Sequence, residues 1–284
     1  MIRLIREARL ADDTARRFYC LREPGYRVYA MELDGLTYDA SVLGNAKGTA
    51  GFLHELTVCL DGEWIDRRLG TRSLHSGDVL QAHRSPTLTD RWEPGLRLLT
   101  FEWEDLTGSA SAATVDVGRV APRTVERCWT FVQRLAHEED AGPLERELVD
   151  LTAALRAEGY AVPSPRLLPT PSRVREIAAF LNRALSGLHA MPTLVDFTAA
   201  RSERQLRRDF EQLTSWLGLI EGSWRTTLHT VRLQYASALV TARQARVADV
   251  AAALGYRSDR ALIQAMQRAG LPSPSEIRRR VRRA

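Results

Sequence analysis

The sequence predicts an α+β chain of two domains, an antiparallel β barrel with attached helices followed by an all-α domain. Three observations carry this. Short runs of β character separated by turn-formers fill about residues 27–103, the apolar period turns helical after Pro122, and the charge balance reverses near Pro171.

The opening MIRLIREARLADD alternates charge with aliphatics, unlike a signal peptide, and no run reaches the roughly 20 apolar residues of a membrane span. A cytoplasmic chain with no membrane partner is the expectation. The β runs are YRVYAMEL, FLHELTVCL, EWIDRRL, DVLQAH and LRLLTFEW. They are separated at Leu33-Asp34-Gly35, Asp61-Gly62, Ser76-Gly77-Asp78 and Glu93-Pro94-Gly95, a strand-turn-strand rhythm that predicts a small barrel or sandwich. Cys20, Cys59 and Cys128 are far apart, odd in number and lack a CxxC pair, so they read as buried free thiols rather than disulfides or a zinc site.

Two helical stripes follow over about residues 123–158. The first runs through Val125, Cys128, Trp129, Val132 and Leu135. The second, Leu144, Leu148, Leu151 and Leu155, is a narrow leucine seam that suits either packing on the barrel or a homodimer interface. This places a first domain at 1–160. The stretch AVPSPRLLPTP, residues 161–171, holds four prolines and predicts a linker. The second domain, 172–284, is read as helices at about 172–187, 193–200, 203–215, 225–242, 247–254 and 259–269.

The charge reversal coincides with that boundary. From Pro171 to Ala284 there are 19 basic and 9 acidic side chains, against 21 and 26 before it, and all 19 cations are arginine. Lys47 is the only lysine, so base composition explains arginine over lysine but not the asymmetry between halves. A basic, arginine-only half points to nucleic acid, because the planar fork pairs twice with phosphate oxygens and guanine edges.

Two helices in this half carry a reading pattern. In SERQLRRDFEQL, Ser202 and Gln205 form a capping-box signature, Leu206, Phe210 and Leu213 face inward, and Arg204, Gln205, Arg207 and Arg208 face out. In RVADVAAALGYRSDRALIQAM a turn at Gly255-Tyr256-Arg257-Ser258 separates two short helices. Arg257 and Ser258 head the second, whose free side shows Arg260, Ile263 and Gln264. Arg and Gln make two-point contacts with guanine and adenine, and Ile suits a thymine methyl. Between them, Arg225–Ala242 reads as a rod of about 27 Å, near the repeat of the duplex.

With Arg232-Leu233, Ala236, Leu239-Val240, Val247, Val250-Ala251, Gly255-Tyr256, Pro274 and Arg278 at their spacings, and Ser202, Leu206, Arg208 and Phe210 before them, this half resembles the AraC/XylS family of transcription regulators. The resemblance implies two helix-turn-helix units joined by a linker helix, binding to double-stranded promoter DNA, usually activation, and RNA polymerase as a partner. It departs in a short lead-in before Ser202, extra residues between Phe210 and Arg232, and Gly270 one place early.

Many members of the family carry a cupin-like sensor barrel upstream, and the β region looks like one on its Ser-Gly-Asp turn and the placing of His54 and His83. The resemblance implies a small-molecule effector pocket lined by His54, Trp64, His83 and Trp103. A barrel serving only dimerisation or protein contact is the alternative. The histidine-rich metal motif of cupin enzymes is absent, since Glu55 and Leu56 follow His54. With no nucleophile-base pair and no phosphate-binding glycine loop, the chain reads as no enzyme, with no cofactor and no metal.

Overall fold

The computed structural model describes residues 1–11, 13–39, 54–66, 69–70, 72–83, 90–104, 115–138, 140–186, 193, 196, 201–217 and 223–283. An antiparallel seven-stranded sheet comes first. Its order is β1 (Ile2–Ala11), β2 (Thr14–Glu23), β3 (Tyr26–Asp34), β10 (Arg97–Trp103), β5 (His54–Asp61), β8 (Asp78–His83) and β11 (Val115–Arg119). A smaller sheet lies in the order β4 (Tyr38–Asp39), β9 (Asp90–Trp92), β6 (Trp64–Asp66) and β7 (Ser73–Leu74).

The β region is therefore longer than the predicted 27–103, running from Ile2 to Arg119. The reason is visible in β1 and β2, IRLIREARLA and TARRFYCLRE. Arginines occupy positions on both faces of this hairpin, so the apolar alternation that marks a half-buried strand is broken.

The large sheet buries both faces. One face carries Leu21, Val28, Leu56, Val58, Val79, Leu99 and Phe101, each 0% exposed, beneath helices α1 (Pro122–His137) and α2 (Ala141–Ala157). Leu144, Leu148, Leu151 and Leu155 of α2 are 0–2% exposed in this same core. Each buried leucine contributes about 1.5–3 kcal/mol, so the seam packs on the barrel, and the reading of it as a dimer face is corrected. The opposite, inner face shares its core with the smaller sheet and the later helices.

Those helices are α3 (Ser172–Ser186), α4 (Glu203–Trp216), α5 (Trp224–Leu239), α6 (Val247–Ala253), α7 (Asp259–Arg268) and α8 (Pro274–Arg283). Most of the helix expected at 193–200 lies outside the described residues. The last helix went unpredicted, although Ser273-Pro274-Ser275-Glu276 is a helix start: Pro274 opens α8, and Ser273 Oγ accepts from the Glu276 amide at 3.3 Å.

Three joints set the helices in place, one against β1 and two among the helices themselves. Asn182 of α3 accepts from the Ile5 amide at 2.9 Å and donates to the Arg3 carbonyl at 2.7 Å, satisfying the outer edge of β1 as a neighbouring strand would. Phe180 stacks on Trp224 at 4.8 Å and Phe210 meets that ring edge-on at 5.3 Å, joining α3, α4 and α5 through one indole. Arg278 Nε donates to the Val240 carbonyl at 2.6 Å and closes the end of α5. The proline-rich 161–171 segment has no helix or strand, but it is fastened rather than loose. The carboxylate of Glu23, 0% exposed, accepts from the amides of Arg166 at 2.6 Å and Leu168 at 2.9 Å.

Candidate nucleic-acid interface

The sharpest unit is α6–turn–α7. Gly255 ends α6 at φ +72°, a conformation that disfavours side chains. It donates to the Ala252 carbonyl at 3.0 Å while the Tyr256 amide reaches Ala251 at 2.8 Å, so the freed carbonyls of α6 are satisfied as the chain reverses. Ser258 then starts α7, its Oγ accepting from the Ala261 amide at 3.2 Å. Leu262 and Met266 are 0% exposed and lock the pair. Gly270 falls where α7 ends, also at φ +72°, so its placing one residue early suits the turn that this chain makes.

On the free side of α7, Arg257, Ser258, Arg260 and Gln264 are exposed and Ile263 is half-buried. The Ser258 hydroxyl is engaged in the cap, whereas Arg260 and Gln264 project from an open surface. Asp259 in the first turn accepts from the Arg260 amide at 2.7 Å, which suits the positive end of the helix.

On α4 the Ser202 Oγ accepts from the Gln205 amide at 3.3 Å, half of the expected capping box. Arg204, Arg207 and Arg208 are exposed. Arg207 meets Glu203 at 2.5 Å one turn away, a surface pair that a phosphate can displace. Gln205 is different. It is half-buried and its Nε2 donates to Asp209 Oδ1 at 2.7 Å, so its amide also braces the unit.

Asp209, 2% exposed, also binds Arg201 at 3.0 Å, and Arg201 reaches Glu176 on α3 at 2.5 Å. This chain of charges, which sets α4 against α3, was not foreseen. The i,i+4 spacing of Gln205 and Asp209 was its available signal. A further basic surface missed from the sequence is on α8, where Ser275, Arg278, Arg279 and Arg282 line a groove of about 480 Å³.

Of the residues expected around an effector, His54 and Trp103 stand on a different face from Trp64. His54 pairs in register with Trp103 and stacks on its ring at 5.5 Å, and both stand on the face toward α1 and α2. Trp64, 2% exposed, belongs to the inner core between the sheets. The backbone of His83 pairs with His54, and its side chain lies outside the described residues. Among the described residues no group of three or more His, Cys, Asp or Glu is placed to hold a metal, and no helix is long and apolar enough to cross a membrane.

No family model matches the sequence, and no curated protein matches it. Among solved structures, an apo form of ToxT from Vibrio cholerae is similar at TM-score 0.36 and 10% identity, over 89% of this chain and 96% of that one. ToxT of the same organism with a bound unsaturated fatty acid gives TM-score 0.32 and 8% identity over 97% and 94%. The AraC-like transcriptional activator CuxR gives TM-score 0.32 and 10% identity over 79% and 82%. These likenesses assign no function.

Proposed function

We propose that the chain is a cytoplasmic, sequence-specific DNA-binding transcription regulator of the AraC/XylS kind, an activator that works with RNA polymerase. One observation carries the reading. Two serine-capped helices, α4 and α7, each present exposed arginines on a half of the chain that holds 19 basic and 9 acidic side chains. Arg204, Arg207, Arg208 and Arg257 supply phosphate contacts, and Arg260, Ile263 and Gln264 face the bases, each good two-point pair contributing about 1–3 kcal/mol of discrimination. Gln205 holds α4 in shape through Asp209.

The sheet region is the control module, and its inner face holds the effector. A sheet region that only mediates dimerisation is the second reading, but the leucine seam that favoured it is buried within the chain. Selection of bound sequences from a random double-stranded library tests the proposal. A recurring motif is expected, whose α7-contacted positions relax in Arg260→Ala and Gln264→Ala; enrichment of no motif would refute sequence-specific reading.

A further inference from the structure

Helix α8, PSEIRRRVRR, sets five arginines against one glutamate. Ile277 and Val281 are buried in the core, and Glu276 is taken up by Arg280 and, at 3.9 Å, by Arg279. No carboxylate among the described residues pairs with Arg278 or Arg282. Ser275, Arg278, Arg279 and Arg282 fall at i, i+3, i+4 and i+7 on one helix face, and they line the groove of about 480 Å³.

Like charges four residues apart cost a helix about 0.2–0.5 kcal/mol a pair, so local helix energetics do not favour this stripe. The helix dipole favours cations in the last turn, which accounts for Arg280 and Arg282. It does not account for Arg278 and Arg279. The groove has no apolar lining residue, so it offers nothing to a lipid tail or to the hydrophobic anchor of a protein partner. What it offers is a row of planar, permanently charged donors of the kind that pair with phosphate oxygens.

Two ties fix where the stripe lies. Arg278 Nε donates to the Val240 carbonyl at 2.6 Å and its Nη2 to the Ala245 carbonyl, so α8 is pinned to both ends of the turn between α5 and α6. Arg243 and Arg246, exposed in that turn, extend the basic surface. From the β region, Arg91 of β9 donates to the Val281 carbonyl at 2.9 Å. The stripe is therefore held before any ligand arrives, which lowers the ordering cost of binding. In a helix-turn-helix the first helix crosses the DNA backbone while the second enters the major groove. In the α6–turn–α7 unit α6 is that first helix, and α8 is fastened at its entry.

We infer that the α8 stripe is a third DNA contact, in which Arg279 and Arg282 grip phosphates beside the α6–α7 unit and Arg278 anchors the helix. The inference rests on the DNA-binding reading proposed above and adds to it a sequence-independent clamp outside both reading helices.

The affinity of the full chain for a selected site across a potassium chloride series tests it, with Arg279→Ala/Arg282→Ala and Arg279→Lys/Arg282→Lys beside the unmodified protein. Each lost phosphate contact removes about 0.9 from the salt slope. The alanine pair should therefore flatten the slope by about 1.8 and raise Kd at least about tenfold at 0.1 M salt. The lysine pair, which keeps both charges, should stay close to the unmodified slope. Preference over scrambled DNA should be the same in all three, since phosphates carry no base identity. Both side chains are exposed, and an unchanged urea midpoint shows that the alanine pair is folded. An alanine pair with the slope of the unmodified protein overturns the inference, the result expected if the stripe meets an acidic protein instead, and leaves the regulator reading standing. An altered base preference also overturns it, since α8 would then be a reader and not a clamp. Equal binding of selected and scrambled DNA by the unmodified protein refutes sequence-specific reading, while the slopes still decide on the clamp.

Discussion

The Arg16 guanidinium on β2 lies 5.1 Å from the ring centre of Tyr235 on α5 and 4.4 Å from that of Tyr38 on β4. One cation is thereby shared between a ring of the β region and a ring of the long C-terminal helix. Replacing it with methionine keeps most of the apolar stem but removes both ring contacts and the bond to Gln234. Arg16→Met should lower stability by about 2 kcal/mol in urea denaturation. Tyr235→Phe should be near neutral, because the Tyr235 hydroxyl has no hydrogen-bond partner. An unaltered Arg16→Met midpoint would remove this contact from the account.

Leu148 is 0% exposed within the α2 seam. Leu148→Ala should cost about 2–5 kcal/mol, the range for a buried leucine cavity, with the concentration dependence of sedimentation unchanged. Loss of self-association without loss of stability would restore the dimer-face reading.

Asp34 sits between Arg17, at 2.5 Å, and Arg97. Burial alone would raise its carboxyl, but the hydrogen bonds and charges of Arg97 and Arg17 outweigh it and hold the group below its ordinary value. A carboxylate depressed in the folded state contributes stability above its unfolded value of about 3.9 and loses it as pH falls through the folded one. The unmodified protein should therefore weaken steadily from about pH 5 to pH 2. Asp34→Asn should be less stable at neutral pH and flatter across that window; parallel denaturation curves for the two proteins would contradict this.

All three cysteines are buried and unbridged, and burial pushes Cys59 and Cys128 up to about 12 and raises Cys20 as well. The native protein should react negligibly with Ellman's reagent at pH 8, and three thiols should titrate once it is unfolded. Rapid labelling of a native thiol would place that cysteine at the surface.

Much of the helical half was legible because caps and period agree. Ser202, Ser223 and Ser258 each bond the amide three residues on, and the apolar stripes behind them repeat at helical spacing. The first hairpin was not legible, because Arg6, Arg16 and Arg22 stand where a core-facing strand ordinarily shows aliphatics. The meeting of Arg6, Phe18 and Tyr29 across three strands was hidden for a related reason, because only strand register brings them together. His54 and Trp103 were seen as aromatic or polar lining, but a shift of one residue decides which face a strand residue occupies, and both lie one position away from the inner-facing Glu55 and Glu102.

The central claim is that exposed arginines on α4 and α7 grip phosphates while α7 reads bases. Its most direct test is the affinity of the full chain for a selected site and for scrambled DNA across a potassium chloride series. The account predicts a linear fall of log affinity with log salt, steeper than about −3, since each neutralised phosphate contributes about −0.9. It further predicts that Arg207→Ala makes that slope shallower by about 1 while leaving the preference for the selected site intact, whereas Arg260→Ala reduces the preference. Affinity that ignores salt, or equal binding of both DNAs, would contradict it.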